Sequence, residues 1–104
     1  MQPDSARDRV DEAEWLAEMG RAADSLDLGS QARSTGEDLY LSNAPDSERS
    51  KPAVAAAALY AGALLAGEER PQTDVADAMD VSRLSIQQRW KPLLEEAGFR
   101  TPSW

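Results

Sequence analysis

Apolar residues recur every three or four positions along most of this chain, the spacing that places them on one face of an α-helix. No stretch of the chain alternates between apolar and polar positions in the manner of a β-strand. The pattern therefore predicts an all-α fold. The five predicted helices span about residues 5–28, 30–42, 51–66, 72–79 and 82–97, and residues 99–104 are expected to form a C-terminal tail.

The first two predicted helices each have an apolar face. Ser5 and Asp8 resemble a capping box at the start of the first helix, and Trp15 is expected to join the core beside its apolar stripe. Gly29 is expected to end this helix in the left-handed conformation, and Ser30 to cap the second helix. The predicted inward positions are Val10, Ala13, Leu16, Met19, Ala23 and Leu26 in the first helix and Ala32, Gly36, Leu39 and Tyr40 in the second.

The third predicted helix differs from the others because residues 52–66 contain no charge. A helix that is apolar on all sides either spans a membrane or lies at the centre of a domain. This one is too short and too rich in Ala for a membrane span, so we expect it to be a buried hub that the other four helices contact. Pro52 suits its first turn, where a backbone N–H is not needed.

Only Asp80 and Val81 separate the last two predicted helices, which is the spacing of a helix-turn-helix. The positions that this motif buries, counted from Gln72, are all apolar here: Val75, Ala76, Met79, Val81 and Ile86. Asp80 stands where the motif requires a positive φ, which Asp tolerates. Ser82 is expected to cap the last helix, and Pro92 predicts a kink or break around residues 88–92.

The charge is distributed unevenly along the 104 residues. Asp and Glu number 19 against 11 Lys and Arg, a net charge of −8. Residues 1–48 carry all of this excess, whereas residues 81–92 contain Arg83, Arg89 and Lys91 and no acid. An excess of acids, many small Ala side chains and a preference for Arg over Lys are typical of a protein that must stay soluble in concentrated salt. The sequence therefore predicts an extreme halophile as its source.

Several classes of function are excluded by composition. The chain has no Cys and no His, which removes thiolate and imidazole metal sites, Cys nucleophiles and the commonest general base. We expect no catalysis, no cofactor, no metal and no small-molecule substrate. No apolar run is long enough to span a membrane, and the first nine residues lack the apolar segment of a secretory signal. A cytoplasmic protein is expected.

The acid-free segment lies in the second helix of the predicted helix-turn-helix, the helix that such motifs insert into the major groove of DNA. The candidate DNA-binding residues are Ser82, Arg83, Leu84, Ser85, Gln87, Gln88 and Lys91. Gln reads adenine, Arg reads guanine or holds a phosphate, and Leu contacts a thymine methyl group. Ile86, Trp90 and Leu93 are expected to anchor the helix. The alternative is a purely structural helix pair that packs on other helices or on a protein partner.

Residues 50–94 resemble one known family. The segment 51–60, KPAVAAAALY, resembles the central helix of the cyclin-like repeats of transcription factor IIB in its archaeal form. Residues 70–82 and 84–93 are similar to the segments that come after this helix in the family. The resemblance implies a single five-helix cyclin-like domain, closest to the second repeat, that ends in a helix-turn-helix. The chain departs from the usual family residues at four positions: Asp80 replaces Gly, Gln87 replaces a frequent Arg, Trp90 replaces Tyr and Pro92 replaces an acid.

The resemblance also implies partners. In the family, the second repeat places its helix-turn-helix on the promoter element beside the TATA box and docks on the TATA-binding protein. We expect one repeat here and, without Cys, no zinc ribbon for recruiting polymerase. The first hypothesis is a DNA-binding regulator that acts on promoter DNA, the TATA-binding protein or other transcription machinery. The second is a cyclin-box adaptor that binds proteins without DNA and presents its acidic half to them.

Overall fold

The computed structural model describes residues 3–98, with side chains from Glu12 onward. These residues contain no β-strand, and the prediction of an all-α fold with five helices is confirmed. The helices are α1 (Pro3–Ser25), α2 (Ser30–Ser42), α3 (Lys51–Leu65), α4 (Gln72–Met79) and α5 (Arg83–Glu96), and a 3₁₀ turn at Glu48–Ser50 leads into α3. The predicted tail at residues 99–104 lies outside the described residues.

Helix α3 is the centre of the domain, as its charge-free sequence predicts. Every residue from Ala55 to Ala63 is buried, and the helix contacts each of the other four helices. Pro52 lies in its first turn. Because seven of the fifteen residues of α3 are Ala, its neighbours approach its backbone closely from several sides. Burial around the whole circumference replaces the single apolar stripe of an ordinary surface helix.

The closest approach joins α2 to α3 at two glycines. A Cβ atom added to Gly62 would lie 2.5 Å from the backbone nitrogen of Gly36 and 2.9 Å from the carbonyl oxygen of Ala32. A Cβ atom added to Gly36 would lie 3.2 Å from the carbonyl oxygen of Ala58. These neighbours are backbone atoms that cannot move without displacing a helix. The α2–α3 contact therefore requires glycine at position 62 and favours it at position 36.

The corner between α1 and α2 differs from the sequence prediction. Asp27, rather than Gly29, adopts the left-handed conformation, with φ of 59°. The N–H of Leu28 donates to the carbonyl of Ala23 at 2.9 Å, which closes a Schellman turn around Asp27. Gly29 has φ of −79° and is itself the N-cap of α2, so the prediction that Ser30 is the cap is wrong. Asp adopts the left-handed conformation at a modest energetic cost, so this corner does not require glycine at position 27.

One arginine ties this corner to the segment between α3 and α4. The Arg70 guanidinium donates to the carbonyl of Leu26 at 2.9 Å and to that of Asp27 at 3.0 Å. It also donates to the carbonyl of Glu68 at 2.9 Å. The Glu68 carboxylate in turn accepts the N–H of Gly29 at 2.9 Å, which places a negative charge at the N-terminus of α2. Arg70 and Glu68 together satisfy polar backbone groups at both ends of the α1–α2 connection.

A buried lysine marks the start of α3. Lys51 is 5% exposed, and its Nζ lies 3.2 Å from Oε2 of Glu48 and 3.8 Å from Oε2 of Glu12. The sequence pattern identifies this residue only as the first position of a helix. The opposite charges of Glu12 and Glu48 offset the cost of burying the ammonium group and connect α1 with the start of α3.

Smaller differences concern α1 and α5. Ala13, predicted to face inward, is exposed, and Trp15 is half-buried against the core. Ser5 lies inside α1 rather than at its cap, because the helix begins at Pro3. The predicted inward position of Val10 concerns a side chain outside the described part. The predicted break at Pro92 is absent, since α5 continues to Glu96. Pro92 has no N–H to donate to the carbonyl of Gln88. Both residues are exposed, so water can hydrogen-bond to that carbonyl instead.

The glycine contact predicts that Gly62→Ala lowers the free energy of unfolding by about 3 kcal/mol or more, because the new methyl group meets backbone atoms of α2. Chemical denaturation measures the change. Gly20→Ala is the matched control: this glycine lies inside α1, and an added Cβ meets only the flexible end of Arg33. It should leave the protein unchanged or more stable by up to about 1 kcal/mol. Equal effects of the two substitutions would contradict the close approach.

The Arg70 contacts predict that Arg70→Lys lowers the free energy of unfolding by about 2 kcal/mol, because a single ammonium group cannot reach carbonyls on both sides of the corner. Thermal and urea denaturation both report this loss. Arg21→Lys serves as the control, since the ion pair that Arg21 makes within the described residues is an exposed one with its helix neighbour Glu18. If both variants keep the stability of the unsubstituted protein, the Arg70 contacts do not hold the corner.

Candidate nucleic-acid interface

The connection between α4 and α5 is a tight turn at Asp80–Ser82. Asp80 has φ of 58°, the left-handed conformation predicted for this position, and the N–H of Val81 donates to the carbonyl of Ala76 at 3.0 Å. Val75, Ala76, Met79 and Ile86 are buried, and Val81 is half-buried against the core. All five apolar positions predicted from the spacing therefore contribute to packing, which fixes the angle between the two helices.

Ser82 begins α5 in the way the sequence predicts. Its φ and ψ are −78° and 149°, and its Oγ accepts the backbone N–H of Ser85 at 3.1 Å. The hydroxyl groups of the two serines also lie 2.9 Å apart. This cap satisfies a backbone donor in the first turn of α5 and orders the end of the helix that carries most of the candidate residues.

The inner face of α5 is anchored on α3. Ile86, Trp90, Leu93 and Leu94 are buried. The Trp90 ring meets the Tyr60 ring edge-on, with 5.5 Å between the centroids and 70° between the planes. Edge-to-face aromatic pairs stabilise a contact beyond the area that they bury. This packing confirms the predicted anchoring role of Ile86, Trp90 and Leu93, and it holds α5 as a rigid support for its outer face.

The outer face of α5 presents polar side chains and one exposed leucine. Arg83, Gln87, Gln88 and Lys91 are exposed, and Leu84 is 55% exposed, the largest value among the large apolar side chains of the described residues. Ser82 is exposed and Ser85 is half-buried. We call these seven residues the α5 surface. The candidate DNA-binding residues thus all lie on α5 and its cap, and all of them except Ser85 are exposed.

The two cations of the α5 surface are oriented by neighbours. Nη1 of Arg83 donates to Oε1 of Gln72 at 3.5 Å, and Nζ of Lys91 lies 5.5 Å from the centroid of the Trp90 ring. Arg89, the third cation of the acid-free segment, is half-buried. Sequence reasoning missed the role of Gln72, because its only local signal was its place at the start of a helix.

The Tyr60 hydroxyl belongs to a small polar cluster behind this surface. Tyr60 is 6% exposed, and its hydroxyl donates to Oε2 of Glu69 at 3.3 Å. Burial raises the pKa of Tyr60 above its ordinary value of 10.0, and the nearby Glu69 charge adds to this increase. A hydrogen bond from the Gln72 side chain acts in the opposite direction. The cluster connects α3 to the first residue of α4.

Other features of the described residues are separate from the α5 surface. An open cavity of about 250 Å³ is lined by Thr35, Asp38, Leu39, Ser42 and Ala97, none of which belongs to that surface. Among the side chains that the structure describes, no group of three carboxylates is arranged to hold a metal ion. None of the five helices, as far as the structure describes them, is long and apolar enough to cross a membrane.

Comparison with known proteins supports the resemblance seen in the sequence. Residues 14–96 match the family model of the transcription factor TFIIB repeat. The chain belongs to the TFIIB family. This match covers all of α2 to α5 and the second half of α1, so the cyclin-like all-α repeat includes the α5 surface.

Individual relatives are archaeal TFIIB proteins of different lengths. A transcription initiation factor IIB from Haloarcula vallismortis is 32% identical over 81 residues, which is 75% of this chain and 71% of that protein. One from Pyrococcus horikoshii is 39% identical over 56 residues, or 54% of this chain. One from Methanosarcina mazei is 46% identical over 50 residues. The matched region spans only 19% of the Pyrococcus protein and 15% of the Methanosarcina protein.

The raised pKa of Tyr60 predicts how the stability of this TFIIB repeat changes at alkaline pH. The buried neutral hydroxyl contributes stability that is fully present below pH 10 and is lost as the pH rises through the raised pKa, because ionisation is easier in the unfolded chain. Urea denaturation between about pH 8 and pH 11 should show this decline, which Tyr60→Phe should reduce. Lys91→Arg, at an exposed position, should leave the decline as it is. An equally steep decline in Tyr60→Phe would contradict the assignment.

Proposed function

We propose that this TFIIB repeat is a DNA-binding regulator of transcription initiation, which acts on promoter DNA, on the TATA-binding protein, or on both. The observation that carries the proposal is the α5 surface. It is the exposed side of a capped helix whose opposite side is locked against α3 by Ile86 and Trp90. A helix held in this way presents its side chains to a major groove at small entropic cost.

The side chains of this surface suit the edges of base pairs. Gln87 and Gln88 each carry an amide that both donates and accepts, the pattern that pairs with adenine. Leu84 offers an apolar contact for a thymine methyl group. Arg83 and Lys91 supply cations for phosphates or for guanine, and the hydroxyls of Ser82 and Ser85 suit the same backbone or base-edge oxygens. The seven residues together form a reading surface with no acidic member.

Charge shapes the expected mode of binding. With a net charge of −8, the chain has little long-range attraction for DNA, and the three cations of residues 81–92 release few counterions. Short-range contacts to base edges must then supply most of the affinity. Such contacts persist in concentrated salt, where the Debye length is only about 3 Å. The composition and the proposed mode of binding therefore both suit a halophilic cell.

The comparisons support a role in initiation. The relatives bear the name transcription initiation factor IIB, and theirs is a family of transcription factors rather than enzymes. We propose the TATA-binding protein as the protein partner, a cytoplasmic location for the complex, and no cofactor, metal or small-molecule substrate. If the repeat binds proteins but no DNA at any salt concentration, the adaptor hypothesis replaces this proposal.

Binding measurements with two variants test the reading surface. Gln88→Ala should lessen the preference for the best duplex over a scrambled duplex by about 1–3 kcal/mol, because the amide contact to a base is lost. Lys91→Ala should weaken binding to both duplexes alike, because a phosphate contact carries no sequence information. Fluorescence anisotropy at high salt, with a duplex selected from a random-sequence pool, measures both effects. Denaturation verifies that the variants fold.

Two substitutions elsewhere in the domain control for general effects. Gln31→Ala removes an exposed glutamine from α2, and Arg49→Ala removes an exposed cation from the 3₁₀ turn. Neither should change DNA affinity. If Gln88→Ala and Lys91→Ala bind DNA as tightly and as selectively as these controls, the α5 surface is not the reading surface. A parallel binding measurement with purified TATA-binding protein tests the protein partner independently.

A further inference from the structure

Arg83 and Gln72 connect the first residues of the two helices that form the α4–turn–α5 unit. The two residues are eleven positions apart in the chain, and the turn at Asp80–Ser82 brings them together. Oε1 of Gln72 accepts Nη1 of Arg83 at 3.5 Å. The contact places the Arg83 guanidinium beside the first residue of α4.

Gln72 is itself held from behind. The Gln72 side chain lowers the pKa of Tyr60 as a hydrogen-bond donor does, and the Tyr60 hydroxyl donates to Oε2 of Glu69 at 3.3 Å. Tyr60 is 6% exposed and packs edge-on against Trp90, so this end of the chain of contacts is anchored in the core. Tyr60 is the buried member of this group, Gln72 lies next to it, and Arg83 is exposed at the surface.

We infer that Gln72 is a positioning residue that directs Arg83 to a backbone phosphate of bound DNA rather than to a base edge, an inference that depends on the proposed function. In the docking geometry of helix-turn-helix proteins, the second helix lies in the major groove and the first helix crosses the sugar-phosphate backbone. A guanidinium drawn toward the start of α4 therefore lies beside the backbone. Oε1 of Gln72 accepts one of the five N–H donors of the Arg83 guanidinium, and the other donors remain suited to a phosphate oxygen.

This arrangement divides the α5 surface into two parts. Arg83, beside α4, supplies affinity that does not depend on sequence. Leu84, Gln87 and Gln88, farther from α4, supply the discrimination between bases. Holding an arginine in place before binding reduces the side-chain entropy that DNA binding must remove. Because the α5 surface carries only two cations, the orientation of each one contributes a large part of the affinity for DNA.

A double-mutant cycle tests the inference. Arg83→Met should weaken binding about tenfold, equally for the selected duplex and for a scrambled duplex. It should also reduce the slope of log K against log salt concentration by about 1, the loss of one phosphate contact. Gln72→Met, which keeps the length of the side chain but removes the acceptor, should weaken binding by about threefold, again equally for both duplexes. In the Arg83→Met background, Gln72→Met should have no further effect on affinity.

Controls separate positioning from stability and from the proposed function itself. Gln31→Met, in α2, should bind as the unsubstituted protein does, and urea denaturation should show that each variant is folded under the binding conditions. An effect of Gln72→Met that persists in the Arg83→Met background would overturn the positioning role. Loss of discrimination at one base pair in Arg83→Met would overturn the phosphate assignment, and failure of the unsubstituted protein to bind any duplex would overturn the proposed function as well.

Discussion

The contact between α2 and α3 at Gly36 and Gly62 is the constraint on which the rest of the domain depends. At this point the backbones of the two helices touch, because neither position has a side chain to separate them. The long buried stretch of Ala in α3 extends this close packing to its other neighbours. Small side chains bury less apolar area per residue than leucines do, so the stability of this core relies on close dispersion contact along whole helices.

Large buried side chains complete the core around the small residues of α3. Tyr40, Met19 and Leu59 are among the largest fully buried side chains, and Tyr60 with Trp90 joins α3 to α5. The orientation of α5 is therefore determined by a few bulky contacts beside a thin central helix. The Schellman turns at Asp27 and Asp80 and the hydrogen bonds of Arg70 fix the corners between helices. The same packing that stabilises the fold thus presents the α5 surface in one defined direction.

Charge is distributed unevenly between the first two helices and the segment that carries the α5 surface. The excess of acids lies in residues 1–48, which include α1 and α2, whereas residues 81–92 contain three cations and no acid. The acidic half keeps the protein hydrated and repels DNA at long range. In the proposed function, the α5 surface therefore recognises DNA by shape and by hydrogen bonds at short range. This favours selectivity over general affinity for nucleic acid.

The sequence by itself determined the features that depend on local interactions. Helix periodicity, the αL residue at Asp80, the Ser82 cap and the apolar positions of the α4–turn–α5 unit all derive from hydrogen bonds and spacings within a few residues. The exposed residues of α5 were predictable from the same periodicity.

Contacts between residues distant in the chain were decided only by the tertiary structure. Lys51 meets Glu12, Arg70 reaches Leu26, and Gln72 meets Arg83 only because the packing angles of the helices bring them together. Asp27 rather than Gly29 is the left-handed residue of the first corner, and Gly29 instead caps α2, where its N–H donates to Glu68, a residue 39 positions away. Local sequence encodes where each helix runs, whereas the relative placement of helices depends on packing that no short stretch of sequence contains.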